Sequence, residues 1–417
     1  MLRLSKVGIG GHAYYLDAAL GSGGPGVEPP GRWTGAGAGV LGLDGRVEPD
    51  DFVALLAGRD PGDGSALATG AGRGRVKVAG YDLTFCAPKS VSLLGALGGD
   101  EVGRAVEVAH GRAVDAGLGY LEDRAFAVRR RRDGLRLPVE VEGVASASFL
   151  HRTSRALDPH LHEHVVVANV GRGPDGRWTA LDGRGLYAHA GAAASVYHAQ
   201  LRHELTTVLG VTWTVPERGR AEVTGIDAGV RRVFSTRTTA IDDHVAEGGW
   251  TSARARAVAA HVTRQEKEHV PTSELRPEWE RRAGEAGFGP RRLEAVLDRA
   301  VRRDRGAPAV PESEIAHGLG EWAKAHDTIA RRDVVGVVAG AARAGASRHE
   351  VEEQVDRTLR AAGLADDRGR VGVAERRVPM PASLERRELH ELLVRRGLDP
   401  VRSRHLGREA GIGLSLG

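Results

Sequence analysis

The stretch that most constrains this chain runs Ser148-Phe-Leu-His151-Arg-Thr-Ser-Arg155-Ala-Leu-Asp158-Pro159-His160-Leu-His162-Glu-His164 and continues into Val165-Val-Val-Ala-Asn169. Four of the 17 histidines fall between His151 and His164. After Pro159 the residues are apolar and β-branched, the composition of a strand. A strand sends alternate side chains to one face, so His162 and His164 share a face with Val166 and Ala168. His151 ends a second apolar run, Val144 to Leu150. A hairpin through Thr153-Ser154-Arg155 would lay that run beside the first. Three neutral imidazoles would then leave a divalent cation its full charge and open coordination positions, as needed to polarise a phosphate oxygen.

A lone His-x-His decides little. Two in-register histidines, a third one hairpin away and a basic loop between them favour a metal site over incidental polarity. His160 and His162 form a second such pair, but Pro159 cannot donate to a ladder. That places His160 at the strand entrance and the ligands at His162 and His164.

The 417 residues allow two or three domains and a large core. No apolar run approaches a membrane span, and the N-terminus lacks the apolar centre of a signal peptide, so a cytoplasmic protein is expected. Cys86 is the single cysteine, which excludes internal disulfides and a cysteine-based zinc module. Net charge is only +4, yet five of the 59 basic residues are lysine and the rest arginine. Arginine suits bidentate phosphate contacts, and composition alone permits nucleic acid without requiring it.

Along the chain, residues 11–20 read as a short helix carrying Tyr14-Tyr15, followed by a Gly/Pro-rich loop with Trp33. Asp50 to Leu56 is helical. Val76 to Phe85 alternates as a strand, with Gly80, Asp82 and Thr84 on one face and Tyr81, Leu83 and Phe85 on the other. Pro88 opens a helix containing Lys89, and residues 101–118 form another. Phe126 to Val141 reads as a hairpin turning at Asp133-Gly134, with Arg129 to Arg132 alternating faces. A helix over about 185–209 carries His189, His198 and His203, expected to be solvated or satisfied in the core. From Asp227 onward the chain is helical and highly charged. Gly306-Ala-Pro-Ala-Val-Pro311 is the best linker. No Gly-x-x-x-x-Gly-Lys-Ser/Thr occurs, so no ATP-driven motor is expected.

A phosphate held by a metal needs a nucleophile. Successive helical residues point about 100° apart, so only one of Tyr14 and Tyr15 can address a given site. A tyrosine pair is by default one core aromatic and its neighbour. A phenol attacks phosphorus poorly near neutral pH unless cationic charge or a base assists it. Asp82, a carboxylate inside a strand, is a candidate base or an orienter of a ligand histidine.

These pieces resemble the relaxase domain of the TrwC/TraI-type (MobF) conjugative relaxases over about residues 1–290. They occur in family order. Tyr14-Tyr15 comes first, then Trp33 with Leu41-Gly-Leu-Asp-Gly45 and Phe52-Val-Ala-Leu-Leu-Ala-Gly58. Gly80 to Leu93 and the Phe149 to Asn169 stretch follow, and Phe234 to Ile241 and Thr263-Arg-Gln-Glu-Lys267 close the set. The resemblance implies a two-layer α/β, HUH-relaxase-like domain with a central antiparallel sheet flanked by helices, over 1–290. A linker over 291–311 and a mainly α-helical region over 312–417 would follow, the latter reading as the start of a helicase region that then stops.

By the same resemblance His151, His162 and His164 bind a divalent metal, Tyr14 is the nucleophile, and Asp82 orients a histidine or takes the tyrosine proton. Softness favours zinc, manganese or nickel for three imidazoles, and abundance favours magnesium. Arg155, Lys89, Arg237, Arg264 and Lys267 are candidate phosphate contacts. The implied activity is strand-specific nicking at a transfer origin through a 5′-phosphotyrosyl link, followed by rejoining. Single-stranded DNA would be the partner, together with accessory DNA-binding proteins and a type IV secretion coupling protein, with no membrane insertion. Several members carry a second tyrosine pair, whereas residues 16–80 here contain no tyrosine. That disfavours two successive tyrosine transfers unless Tyr15 serves. A rolling-circle replication initiator usually places its tyrosine after the histidines, and a non-cleaving origin-binding protein would have little use for the triad.

Overall fold

The histidine strand, β7, lies at the centre of an antiparallel sheet. In the computed structural model, residues 2–19, 28–67, 78–217, 219–263, 270–298, 310–326, 328–361 and 378–379 are described. The sheet strands are β1 (Leu2–Val7), β2 (Arg32–Thr34), β3 (Gly80–Cys86), β6 (Gly143–Thr153), β7 (Pro159–Arg172) and β8 (Trp178–Thr179). Their order is β1-β3-β7-β6-β2, with β8 pairing β7. Strands β4 (Ala127–Arg132) and β5 (Leu135–Glu140) form a separate hairpin. Its turn at Asp133-Gly134 has positive φ at both residues, 50° and 79°, the backbone twist a two-residue hairpin favours. Two more short strands, β9 (Thr328–Ile329) and β10 (Val378–Pro379), pair with each other.

Helices α1 (Ala13–Ala19), α2 (Ala36–Val40) and α3 (Pro49–Leu56) precede β3; α4 (Lys89–Leu97) and α5 (Gly99–Arg124) follow it. The long α6 (Gly183–Leu209) leads into α7 (Ala228–Val233), α8 (Thr236–Glu247), α9 (Ala253–Val262), α10 (Thr272–Glu285) and α11 (Pro290–Asp298). The last three are α12 (Glu312–Ala323), α13 (Arg331–Ala341) and α14 (Arg348–Ala361). The antiparallel sheet, its flanking helices and the helical C-terminal region agree with expectation.

Strand alternation decides which face each residue covers. Tyr81, Leu83, Phe85, Val165 and Val167 face helices α4–α6 in the larger core. Val166, Ala168, Ala147 and Phe149 face the other way, under Tyr15, Trp33, Phe52 and Leu55. Both faces of β7 are therefore dry over Val165 to Ala168, which explains its unbroken valine run. Each large apolar side chain buried here contributes about 1.5–3 kcal/mol.

Three expectations need correction. The β6–β7 connection is longer than a turn at 153–155, because Thr153 pairs with Pro159 and residues 154–158 make the turn. Asp158 explains the length: its buried carboxylate accepts from Thr236 N (2.8 Å) and Arg282 (3.1 Å), tying the turn to α8 and α10. Pro159 begins the strand, where a missing N–H is tolerated, so His160 lies within β7. Finally, part of the expected linker is helical. Leu293, Val296 and Leu297 share one face of α11, and Val296 is buried in the larger core. Residues 299–309 lie outside the described residues, as do Val76 and most of 362–417. Among the described residues no helix is long and apolar enough to cross a membrane.

Candidate metal and nucleophile centre

Register brings the histidines together. His151 on β6 pairs directly with His162 on β7, and His164 lies two residues further along the same face. Asp82 on β3 is opposite Val166, so His164 is its diagonal neighbour, within reach of a side chain. The ring centroids are 5.2 Å apart for His151–His162, 5.5 Å for His151–His164 and 5.3 Å for His162–His164.

The ring nitrogens are set by their partners. His162 donates from Nδ1 to the His160 carbonyl at 2.8 Å. A carbonyl only accepts, so Nδ1 carries the proton and Nε2 keeps its lone pair in the neutral ring. His164 donates from Nδ1 to both oxygens of Asp82, at 3.0 and 2.9 Å. The His151 Nδ1 lies 3.5 Å from Glu28 Oε1. Burial, reinforced by His160, His151 and His164, pushes His162 well below the usual imidazole range, which keeps it neutral. His160, stacked on His162 at 4.6 Å, is pushed down to about 3 by burial first.

This donor set suits a borderline-soft divalent cation, with Nε2 the nitrogen that His162 and His164 offer. Three imidazoles bound at about 2.1 Å around a tetrahedral ion have centroids about 5.2 Å apart, close to the spacing here. No three such donors among the described residues are drawn together tightly enough to hold an ion as they stand.

The tyrosines divide. Tyr15 is 6% exposed, stacks on Phe149 at 5.8 Å and donates its hydroxyl to Asp82 at 2.9 Å. Burial raises its pKa, the Asp82 charge and hydrogen bond add to the shift, and Tyr15 stays protonated. Tyr14 is 40% exposed, with its ring 5.9 Å from His164 and the Arg155 guanidinium 5.9 Å from its centre. Both tyrosines, the three histidines and Asp82 line one cavity of about 610 Å³. Arg3 and Lys6 from β1 add positive charge to its wall.

The phosphate-contact candidates do not all converge. Arg155 and Arg237 line this cavity. Arg237 also spans to α9, donating to the Thr263 hydroxyl at 2.8 Å and to the Ala260 carbonyl. Lys89 donates to the Pro159 carbonyl at 2.7 Å, away from the Tyr14 cavity, and burial lowers its pKa to about 8. Arg264 and Lys267 lie outside the described residues. Two of the hairpin arginines are in ion pairs, Arg129 with Asp182 and Arg130 with Asp175. Sequence reasoning missed Glu28, Arg3 and Lys6. Glu28 is the only carboxylate in the Gly/Pro-rich residues 21–39, a signal too slight to stand out.

The sequence matches the TrwC relaxase family over residues 6–286. The multifunctional conjugation protein TraI of Escherichia coli is 36% identical over 325 residues, covering 74% of this chain and 17% of that protein. TraI of Escherichia coli strain K12 is 36% identical over 315 residues, covering 72% of this chain and 17% of its own length. The chain thus spans 17% of the length of these two relatives. Among solved structures, the conjugative relaxase TrwC in complex with oriT DNA, metal-free, aligns with a TM-score of 0.62 at 32% identity. The metal-bound TrwC complex aligns with a TM-score of 0.63 at 32% identity, and each of the two covers 69% of this chain and 99% of the other. On the match over most of its length, the chain belongs to the TrwC relaxase family.

Proposed function

We propose that this chain is a conjugative relaxase that nicks one DNA strand at a transfer origin and later rejoins it. Tyr14 is the nucleophile. Its phenol oxygen bonds to the scissile phosphorus, the bond to the 3′ oxygen breaks, and a 5′-phosphotyrosyl link with a free 3′-hydroxyl results. One phosphodiester replaces another, so rejoining needs no nucleotide energy source. The observation that carries this reading is the divided tyrosine pair: an exposed phenol beside the histidine triad, with its neighbour pinned on Asp82.

His151, His162 and His164 would hold a divalent cation, magnesium, manganese or zinc. When bound, the cation withdraws charge from a non-bridging phosphate oxygen and lowers the barrier to attack. Asp82 acts by holding His164 in the tautomer that offers Nε2. Arg155, Arg3 and Lys6 place positive charge where the phosphate backbone would pass. TrwC has been solved with oriT DNA, with a 27-mer comprising the recognition hairpin and cleavage site, and with metal; these relatives support single-stranded origin DNA as the substrate here. Accessory DNA-binding proteins and a type IV coupling protein are the further partners this reading brings, in a cytoplasmic setting. Residues 1–290 would form the nicking unit, with 312–361 packed onto it.

Covalent capture tests the proposal. Full-length protein is mixed with single-stranded DNA tiled from the region flanking its gene, with and without divalent metal, and resolved on a denaturing gel. A metal-dependent adduct that peptide mapping places on Tyr14 is expected. No adduct from any tile, with metal bound and the fold intact, would favour a non-cleaving origin-binding protein.

A further inference from the structure

His162 and His164 are each held at Nδ1 by a hydrogen bond, and the carboxylate that faces His151 Nδ1 comes from a residue outside the strand system. Glu28 opens the segment that leads into β2, and its side chain is 8% exposed. Its carboxylate accepts the Arg152 main-chain N–H with both oxygens, at 3.0 and 3.2 Å. The β6 ladder shifts register between His151 and Thr153, which leaves that N–H in need of an acceptor. Oε1 of the same carboxylate is the atom 3.5 Å from His151 Nδ1.

A carboxylate this buried requires more than one donor. The Arg152 guanidinium approaches Glu28 only to 3.8 Å, because Glu107 engages it at 2.6 and 2.8 Å. Among the described residues the His151 ring thus brings the nearest side-chain nitrogen to Glu28, at 3.5 Å. We propose that Glu28 is a positioning residue for the nicking centre, holding His151 with its proton on Nδ1 and Nε2 turned to the cation, as Asp82 holds His164. The inference rests on the metal-assisted reading above. It also balances charge, because the two carboxylates behind three neutral rings match a dication. Partners of this kind raise the basicity of a ligand imidazole and fix its orientation, and losing one costs about 10–100-fold in metal affinity. A purely structural Glu28, filling only the amide left by the register shift, would leave metal affinity alone.

The test titrates Mn²⁺ and, separately, Zn²⁺ into the full-length protein and its Glu28→Gln variant by calorimetry, with metal-free melting as the check on folding. Glutamine can still accept from Arg152 N but no longer offers a charged oxygen to His151. Affinity is expected to fall about 10–100-fold with the melting midpoint close to the parent. Unchanged affinity in the folded variant overturns the role of Glu28 and leaves the metal centre standing. A parent that takes up neither ion removes the metal-assisted reading and this inference together. If Glu28→Gln does not fold, ¹⁵N-histidine NMR of the metal-free parent decides. His151 is expected as the Nδ1–H tautomer, and the Nε2–H tautomer overturns the proposal.

Discussion

Successive residues of a helix point about 100° apart, and on α1 that angle separates a phenol at the cavity from a phenol in the core. If Tyr14 is the nucleophile as proposed, Tyr14→Phe is expected to cut adduct formation by about 10³-fold or more while leaving DNA affinity nearly intact, because only one hydroxyl is removed. Tyr15→Phe removes a buried hydrogen bond to Asp82 but keeps the packing on Phe149 and Phe52. It should cost about 1 kcal/mol of stability and leave adduct formation within about tenfold of the parent. Gel capture and melting on both variants check this, and the reverse pattern would transfer the nucleophile's role to Tyr15. Helical periodicity alone said that the two tyrosines differ, not which one is exposed. The choice depends on Asp82, 67 residues away in sequence, whose carboxylate holds Tyr15. No local pattern encodes that contact. The histidine triad was more legible, since the alternation of β7 and the run before His151 fixed which rings share a face. Glu28 was not, because a register shift created its partner.

At the level of elements, the strands and helices that carry a clear period appear where the sequence places them, and irregular joints do not. β3 splits its faces as the alternation predicts, with Asp82 and Thr84 towards the site and Tyr81, Leu83 and Phe85 in the larger core. The turn at 154–158 departs because Asp158 is recruited by α8 and α10, a tertiary demand absent from turn chemistry. The α5–α6 contact shows how histidines without a catalytic part are used. His110 of α5 meets Tyr197 of α6 at 2.9 Å, and His189 of α6 meets Tyr120 of α5 at 3.0 Å. Burial, then the charges of Arg332 and Arg124, pushes His189 down to about 4 from the ordinary 6.5. As pH falls below 6.5 the unfolded chain takes up this proton before the native chain does. The contribution of His189 to stability is therefore complete above about pH 6.5 and is lost towards pH 4, at up to about 1.4 kcal/mol per pH unit. His189→Gln should flatten the fall in stability between pH 6.5 and 4.5, measured by urea unfolding at fixed temperature. A slope equal to the parent's would place the acid sensitivity elsewhere.

Across the whole molecule, the helices beyond the Pro-rich stretch do not stand apart from the sheet domain. Ile315, Leu319, Val334, Val338, Val351 and Val355 join the same core as α5 and α6. The junction is close: Gly345 has φ +93°, and a Cβ there would collide with the backbone of Arg202 and His203 on α6. Arg202, 2% exposed, reaches across to the carbonyls of Ala339 (2.8 Å) and Ala342 (3.0 Å) at the end of α13, and to Gly219 (3.0 Å). A cation there meets the negative end of the α13 dipole, although burial lowers its pKa to about 10. These partners lie about 140 residues apart, which is why a linker-like composition gave no hint of the junction. Arg202→Met keeps much of the volume and removes every guanidinium donor to Ala339, Ala342 and Gly219, while the Ala342 carbonyl keeps the Gly345 N–H at 3.0 Å. The expected loss is about 1–3 kcal/mol of unfolding free energy, read by urea denaturation. Adduct formation by the folded variant should match the parent, since Arg202 does not line the Tyr14 cavity. If stability instead stayed at the parental value, the carbonyls would have to be satisfied by another route, and Arg202 would not be what fastens α13 to α6.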